Sequence, residues 1–364
     1  MTFFQNYNLN RPAWLLPHRI DEPPVTGLRD LLLRLMQGKN LSREEAKFLL
    51  DQLLRGEATD AQIAAALVAL SIKGETTEEL AGMAEAMREN SMKIETVHRD
   101  FIDTAGTGSS RVKTFNVSTA AAFVIAGAGL PVAKHGSRAA TSKSGSADVL
   151  TALGVNVTAS REVSEECLNE LGICFMFAPL YHASTARVAT VRRQLGVHTT
   201  FNLLGPMTNP AGAPYQIMGV WHKDLVAPIA ETLQKLGTKH ALVVHGRDGL
   251  DEITVCGKTS AAEVTPDFIK IFEIDPEDFG FEAVDDIEPL RGGDARGNAA
   301  IIREILENKR ADAARSLVLM NAAAALFIGG KADHFWDAAE LAVESLESGA
   351  ALEKLEKLRE MTEG

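Results

Sequence analysis

Residues 103–154, DTAGTGSSRVKTFNVSTAAAFVIAGAGLPVAKHGSRAATSKSGSADVLTALG, decide the fold and point to the chemistry of this chain. Two turns rich in Gly, Ser, Thr and Lys bracket a helix built of small apolar residues. The first, Ala105-Gly106-Thr107-Gly108-Ser109-Ser110, follows a short apolar strand at Phe101-Ile102 and leads through Asn116, Ser118 and Thr119 into the helix. Unpaired backbone N–H groups and the positive helix end therefore face one place, a natural anion site. The second turn, Lys134-His135-Gly136-Ser137-Arg138 followed by Thr141-Ser142-Lys143-Ser144-Gly145-Ser146, comes after a buried-strand run at 130–133. It adds cations and hydroxyls at a strand's carboxyl end, where open α/β sheets bind ligands. A polyphosphate suits both turns. The spacing excludes a G-x-G-x-x-G dinucleotide turn, because position 111 is Arg, and a P-loop, because no Gly-Lys-Ser/Thr follows.

Working outward, residues 28–92 read as four short helices. Gly38, Gly56 and Gly74 fall at helix stops, while Ser42/Glu45, Thr59/Gln62 and Thr76/Glu79 have capping-box spacing at the next starts. From about residue 100 short apolar strands (132–133, 155–157, 173–177, 217–220, 241–244) alternate with helices, which implies parallel βαβ crossovers. The segment 186–209 reads as two helices interrupted by Gly and Pro. Residues 330–361 read as amphipathic helices that cover a sheet edge or face. The expected architecture is α/β: a small N-terminal helical domain plus a larger domain with a mostly parallel central sheet flanked by helices.

The 364 residues, 46% hydrophobic, suffice for two such units. A net charge of −12 argues against a nucleic-acid partner, whose phosphates need a clustered basic surface. Cys167, Cys174 and Cys256 lack metal-ligand spacing, and their odd number suits a reducing compartment. With no apolar run long enough to span a bilayer and no leader-like start, a cytoplasmic protein with no membrane partner is expected.

One acidic pair stands out, Asp251-Glu252, in a glycine turn (248–252, DGLDE) after the strand at 241–244. Adjacent carboxylates there could hold a hard divalent cation.

These motifs together resemble the anthranilate phosphoribosyltransferase family, whose members have the nucleoside phosphorylase/phosphoribosyltransferase type of fold. GTGSS (106–110), TFNVST (114–119), KHGSR (134–138), SKSGSADVLTALG (142–154), RRQLGVHTTFNLLGP (192–206) and DGLDE (248–252) stand in family order, and the likeness runs from about residue 28 to 330. The resemblance implies transfer of 5-phosphoribosyl from phosphoribosyl diphosphate to the anthranilate amine, a step of tryptophan biosynthesis that releases pyrophosphate. It implies Mg²⁺, as two ions, on Asp251, Glu252 and the Ser118 hydroxyl. The donor would be bound by Gly106, Thr107, Gly108, Ser109, Ser110, Thr114, Asn116, Ser118, Thr119, Lys134 and Ser146. The aromatic acceptor would lie among His135, Ser137, Ala178, His182, Arg192, Gly205 and Pro206, with Arg192 gripping its carboxylate. No covalent nucleophile is implied. The implied domains are a helical one (27–97, completed by 186–212), an α/β one (98–185 and 213–364) and an N-terminal extension (1–26), with a homodimer formed through the helical domain. The chain departs from the family at Ser110 (Asp in relatives), Ser137 (Asn), His182-Ala183-Ser184-Thr185 (HPAM) and His198 (Arg). A relative with a different aromatic acceptor, or a non-catalytic nucleotide- or nucleic-acid-binding relative, stays open at this point.

Overall fold

A computed structural model of the chain describes residues 27–108, 110, 112–139 and 143–363. The extension 1–26 and Ser109, like Arg111, Thr141 and Ser142, lie outside the described residues.

The first four helices are α1 (Leu28–Met36), α2 (Arg43–Leu54), α3 (Asp60–Lys73) and α4 (Thr77–Glu89). All three capping boxes form: Ser42 with Glu45, Thr59 with Gln62 and Thr76 with Glu79. Glu79 is buried and does more than cap, accepting from the Leu41 N–H (2.8 Å) and pairing with Lys73 (2.7 Å).

The sheet has seven strands in the order β3-β2-β1-β4-β5-β6-β7. These are β1 (Ile102–Asp103), β2 (Val132–Gly136), β3 (Ile173–Phe177), β4 (Tyr215–Gly219), β5 (His240–Gly246), β6 (Thr259–Val264) and β7 (Ile269–Ile274). The first five run parallel, and β6 and β7 continue antiparallel. In the register Ile102 faces both Val132 and Tyr215. The chain thus leaves β1 on one side towards β2 and β3, then returns to its other side as β4. This reversal opens a crevice at the strands' carboxyl ends, between β1 and β4.

Helix α5 (Val117–Gly127) links β1 to β2; α6 (Ser146–Ala152) and α7 (Arg161–Glu166) link β2 to β3. Short helices α8 (Ala178–Tyr181), α9 (Ala186–Leu195) and α10 (Phe201–Leu204) precede β4, and α11 (Val226–Lys235) precedes β5. The chain ends in α12 (Ala295–Leu306), α13 (Ala313–Ile328), α14 (Phe335–Glu347) and α15 (Ala350–Thr362). Strand alternation divides the interior in two. Ile217, Leu242, Val244 and Ala261 face a core shared with α5 and α12–α15, whereas Met218, Val243, Ala262 and Val264 face one shared with α1–α4, α9–α11.

Two expectations need correction. Residues 155–157 form no strand: Val155 and Val157 are buried in a turn after α6, so an apolar pair here reports burial alone. Helix α14 packs chiefly on α13 and α5, one layer out from the sheet, whereas α15 packs on α5 and also reaches the edge strand β3, the kind of edge both were expected to cover.

Candidate active site

The cleft at the crevice measures about 380 Å³, within the range of small-molecule sites. Its lining includes Gly106, Thr107, Gly108, Ser110, Thr114, Asn116, Ser118, Thr119, Lys134 and Ser146 from the donor set, His135, Ser137, Ala178, Arg192, Gly205 and Pro206 from the acceptor set, and both Asp251 and Glu252. His182 is not in the wall; its ring lies 5.1 Å behind that of His135.

The turn after β1 reaches the end of β4. Thr107 donates its N–H (2.9 Å) and hydroxyl (3.1 Å) to the Gly219 carbonyl. Gly219 must be glycine, because a Cβ there would lie 1.7 Å from the Asp251 carbonyl oxygen. At Gly108 the turn takes φ 64°, the left-handed region glycine enters without strain. Behind it, Thr114–Asn116 lead into α5, and residues 116–119 all line the cleft; the Val117 and Thr119 N–H groups donate to the Phe115 (2.7 Å) and Asn116 (3.1 Å) carbonyls, so it is the positive end of the helix that faces the cavity. Asn116 is held by Asn298, which donates to its Oδ1 (3.0 Å), and itself donates to the Ser144 carbonyl (3.3 Å). Buried Lys134 donates to the Thr104 hydroxyl (2.9 Å) and reaches the Ser118 hydroxyl (3.4 Å). Burial lowers its pKa against the field of Asp103 and Glu252. The buried Thr119 hydroxyl has no partner among the described residues.

The acidic turn follows β5. Glu252 is half-buried at the cleft wall, and desolvation together with the neighbouring Asp251 pushes its carboxyl up to about 8, partly offset by Lys134 and the Ser118 N–H. Two adjacent carboxyls, one held that far from its ordinary value, fit a divalent cation, which would stabilise the ionised form. The turn is clamped from behind by Asn321 of α13, which accepts from the Ile253 N–H (3.0 Å) and donates to the Ile253 carbonyl (2.9 Å). Asp248 turns inward and accepts from the Leu250 N–H (3.1 Å) and the Thr254 hydroxyl.

On the acceptor wall, burial and His182 drive His135 down to about 3, and burial drives His182 down to about 4, so both are neutral imidazoles near neutral pH. The Nε2 atoms of both lack partners among the described residues. Arg192 lies over the Phe201 ring (5.2 Å) and donates through Nε to the Thr199 hydroxyl (3.0 Å) and through Nη2 to Asn202 Oδ1 (3.2 Å). Burial lowers its pKa. Arg193 is exposed, as a surface charge would be. His198 is exposed and rests against Trp221 (ring centroids 5.4 Å apart), outside the cleft.

Several contributors escape sequence reasoning. Asp103, fully buried, accepts from the N–H groups of Ala105 (3.1 Å) and His135 (3.2 Å) and from Asn209 Nδ2 (2.8 Å). Burial raises its carboxyl to about 6, against the pull of Lys134. A lone Asp after an apolar strand is its only signal; for Asn321 it is one amide within the apolar run LVLMNAAAALFI. Lys113, Arg138, Phe201 and Asn202 also line the cleft.

Residues 98–352 match the family described as glycosyl transferase family, a/b domain, and 29–91 match its helical bundle domain. An anthranilate phosphoribosyltransferase of Persephonella marina is 46% identical over 93% of this chain and 99% of its own length. One from Methanobrevibacter smithii is 45% identical over 92% and 99%. Among solved structures, the anthranilate phosphoribosyltransferase of Thermus thermophilus superposes with a TM-score of 0.87 at 39% identity, covering 92% of this chain and all (100%) of that one. The Saccharomyces cerevisiae enzyme, solved in complex with PRPP and Mg, gives 0.83 at 27% identity over 92% and 98%. Similarity of this extent, over both the helical bundle and the a/b domain, places the chain in the anthranilate phosphoribosyltransferase family.

Proposed function

We infer that the chain catalyses transfer of the 5-phosphoribosyl group from phosphoribosyl diphosphate to the amine of anthranilate. The observation that carries this reading is one cleft in which residues 105–108, 112–119, 134–139 and 144–146, the Asp251-Glu252 pair and Arg192 converge. The bond between the ribose anomeric carbon and pyrophosphate breaks with its electron pair on the leaving oxygen. The amine nitrogen forms the new C–N bond and gives up a proton.

The N–H groups of Gly106 and Gly108 and the positive end of α5, with Lys134 and Ser146, suit the donor's phosphates; Asn116 and the Thr119 hydroxyl, which has no partner among the described residues, suit its sugar or phosphate oxygens. Ser110, whose hydroxyl is committed to the Val112 carbonyl (2.6 Å), contributes through its backbone position. Asp251, Glu252 and the Ser118 hydroxyl would hold Mg²⁺, which when bound draws off charge gathering on pyrophosphate. Arg192, its Nε edge already engaged, presents the remaining guanidinium N–H groups to the acceptor's carboxylate. Neutral His135 can orient the amine or take its proton, and His182 backs it.

We assign the helical domain to 27–97 with 186–212 and the α/β domain to 98–185 with 213–364. The packing of α9 on α2 and α3 and of α10 on α4 supports joining 186–212 to the first four helices, in an interior that continues onto α11 and the sheet. Leu33 and Met36 of α1, Phe48 of α2, and Val68 and Ile72 of α3 are exposed, which supports homodimerisation through the helical domain. Among the described residues no helix is long and apolar enough to cross a membrane. The free cysteines, Cys167 and Cys174 buried, accord with a cytoplasmic location.

The test is anthranilate fluorescence over time with purified protein, Mg²⁺ and phosphoribosyl diphosphate. Decay that needs every component supports the reading. No decay, with diphosphate binding intact, transfers the assignment to another aromatic acceptor.

A further inference from the structure

The stretch between the first turn and α5 carries an ammonium that the motifs do not account for. Lys113 lines the cleft beside Asp251 and is half-buried. Its Nζ donates to the Gly108 carbonyl (2.9 Å), which leaves further N–H donors on the same group. It forms no ion pair with a carboxylate of the described residues; the Asp251 charge acts on it through the field alone. A partly desolvated cation whose one hydrogen bond is to a neutral carbonyl is costly to keep, unless an anion visits it.

We propose that Lys113 is a ligand of the diphosphate leaving group, a second ammonium lining the cleft besides the buried Lys134. This rests on the donor reading above. The position selects the diphosphate over the other anions the cleft would hold. Lys113 bonds to the first turn at Gly108 and lies in the field of Asp251, whereas Arg192 and His135 belong to the expected acceptor end. Its tether is a single neutral hydrogen bond, so the side chain can turn to a phosphate oxygen without breaking an ion pair. As the C–O bond breaks and charge accumulates on pyrophosphate, Lys113 gains more from the transition state than from the ground state.

The experiment is titration calorimetry of the full chain in Mg²⁺ with pyrophosphate and, separately, phosphoribosyl diphosphate. The variants are Lys113→Met, Lys113→Arg and, as a control, the exposed Lys223→Met. Lys113→Met should weaken pyrophosphate binding about 10- to 100-fold, as expected for a lost charge-assisted hydrogen bond. Lys113→Arg should recover most of that loss, Lys223→Met should match the parent, and the KM for anthranilate should not move. Pyrophosphate binding by Lys113→Met equal to the parent's overturns the inference and leaves the donor reading standing. Failure of the parent chain itself to bind either compound overturns both.

Discussion

Adding one methyl group at Gly219 tests the geometry of the whole site. The Cβ of Gly219→Ala would lie 1.7 Å from the Asp251 carbonyl oxygen and 2.5 Å from its carbon, against the 3.0 Å that real contacts require. Something must therefore move by at least 3.0 − 1.7 = 1.3 Å, and both partners are backbone. If the acidic turn moves, Asp251 and Glu252 are carried off the Asn321 clamp. If β4 retracts, its Gly219 carbonyl drags Thr107 and the first turn with it. Either displaces groups placed on the diphosphate by the distance at which catalysis falls on the order of 10²-fold. Overpacking should also cost about 1–3 kcal/mol of stability. The control is Gly82→Ala, whose Cβ would lie 2.0 Å from the Arg43 carbonyl oxygen where α4 crosses α2, away from the cleft. It should cost comparable stability but leave kcat per folded molecule unchanged. The assay is kcat/KM from anthranilate fluorescence alongside thermal unfolding. Gly219→Ala within about threefold of the parent in kcat/KM, or Gly82→Ala losing as much as Gly219→Ala, would refute the reasoning.

Arg192→Lys loses both held N–H groups and the planar fork, so the anthranilate KM should rise about 10- to 100-fold while the KM for phosphoribosyl diphosphate stays put. Asn321→Leu keeps the volume in α13 but strands the buried Ile253 N–H and carbonyl; unfolding should cost about 1–3 kcal/mol less for each group, and half-maximal activity should need more Mg²⁺. His135 and His182 bind protons in the unfolded chain below the usual 6.5 but resist them when folded until about 3 and 4, so both subtract stability as pH falls through that window. Asp103 has the opposite sign: raised from 3.8 to about 6, it returns stability as pH falls from 6 towards 3.8. Glu252, raised from 4.5 to about 8, acts in the same direction as Asp103, so the test is a difference: in chemical denaturation from neutral pH to pH 4, His182→Gln should gain stability relative to the parent as pH falls below 6.5. Ile72→Lys, placed on the exposed apolar face of α3, should yield monomers in sedimentation velocity; an unchanged assembly would count against dimerisation through this face.

Features written in adjacent residues are legible in the sequence. The capping boxes on α2, α3 and α4 are three-residue signals, and each forms where its spacing places it. Strand β3 is legible to its full bounds, 173–177, because an uninterrupted apolar run of that length between turn residues suits a strand buried on both faces. The β6–β7 hairpin is not: TSAAEV and IKIFEI offer weak, half-polar patterns, and their pairing depends on β5 already being in place. Turn residues of the cleft are also readable, since Gly, Ser, Thr and Lys cluster along the chain. The supports behind them are not. Asn321 is 68 positions from the Ile253 backbone it clamps, and Asn209 is 106 from Asp103. Neither pair shares a local pattern; each exists only once the sheet order is known.

These distant contacts bear on how one site serves two substrates. The Asp103 carboxylate accepts from Ala105 at the start of the donor turn, from His135 at the start of the acceptor wall, and from Asn209, which follows the Gly205–Thr208 turn. Asn209 in turn donates to the Ala133 carbonyl of β2 (2.8 Å) and accepts from the Ala211 N–H (2.9 Å), so each of its polar atoms is committed. Donor turn, acceptor wall and the 205–208 turn therefore share one buried anchor, and a shift in any one is resisted by bonds to the other two. Such an arrangement holds the two reacting centres in register without any element spanning the cleft, which is what a reaction governed by positioning requires. Ser110 and Ser137, where the chain departs from its relatives, make none of these bonds: the register of the turns is held from below by Asp103, Asn209 and Asn321, none of which lines the cleft.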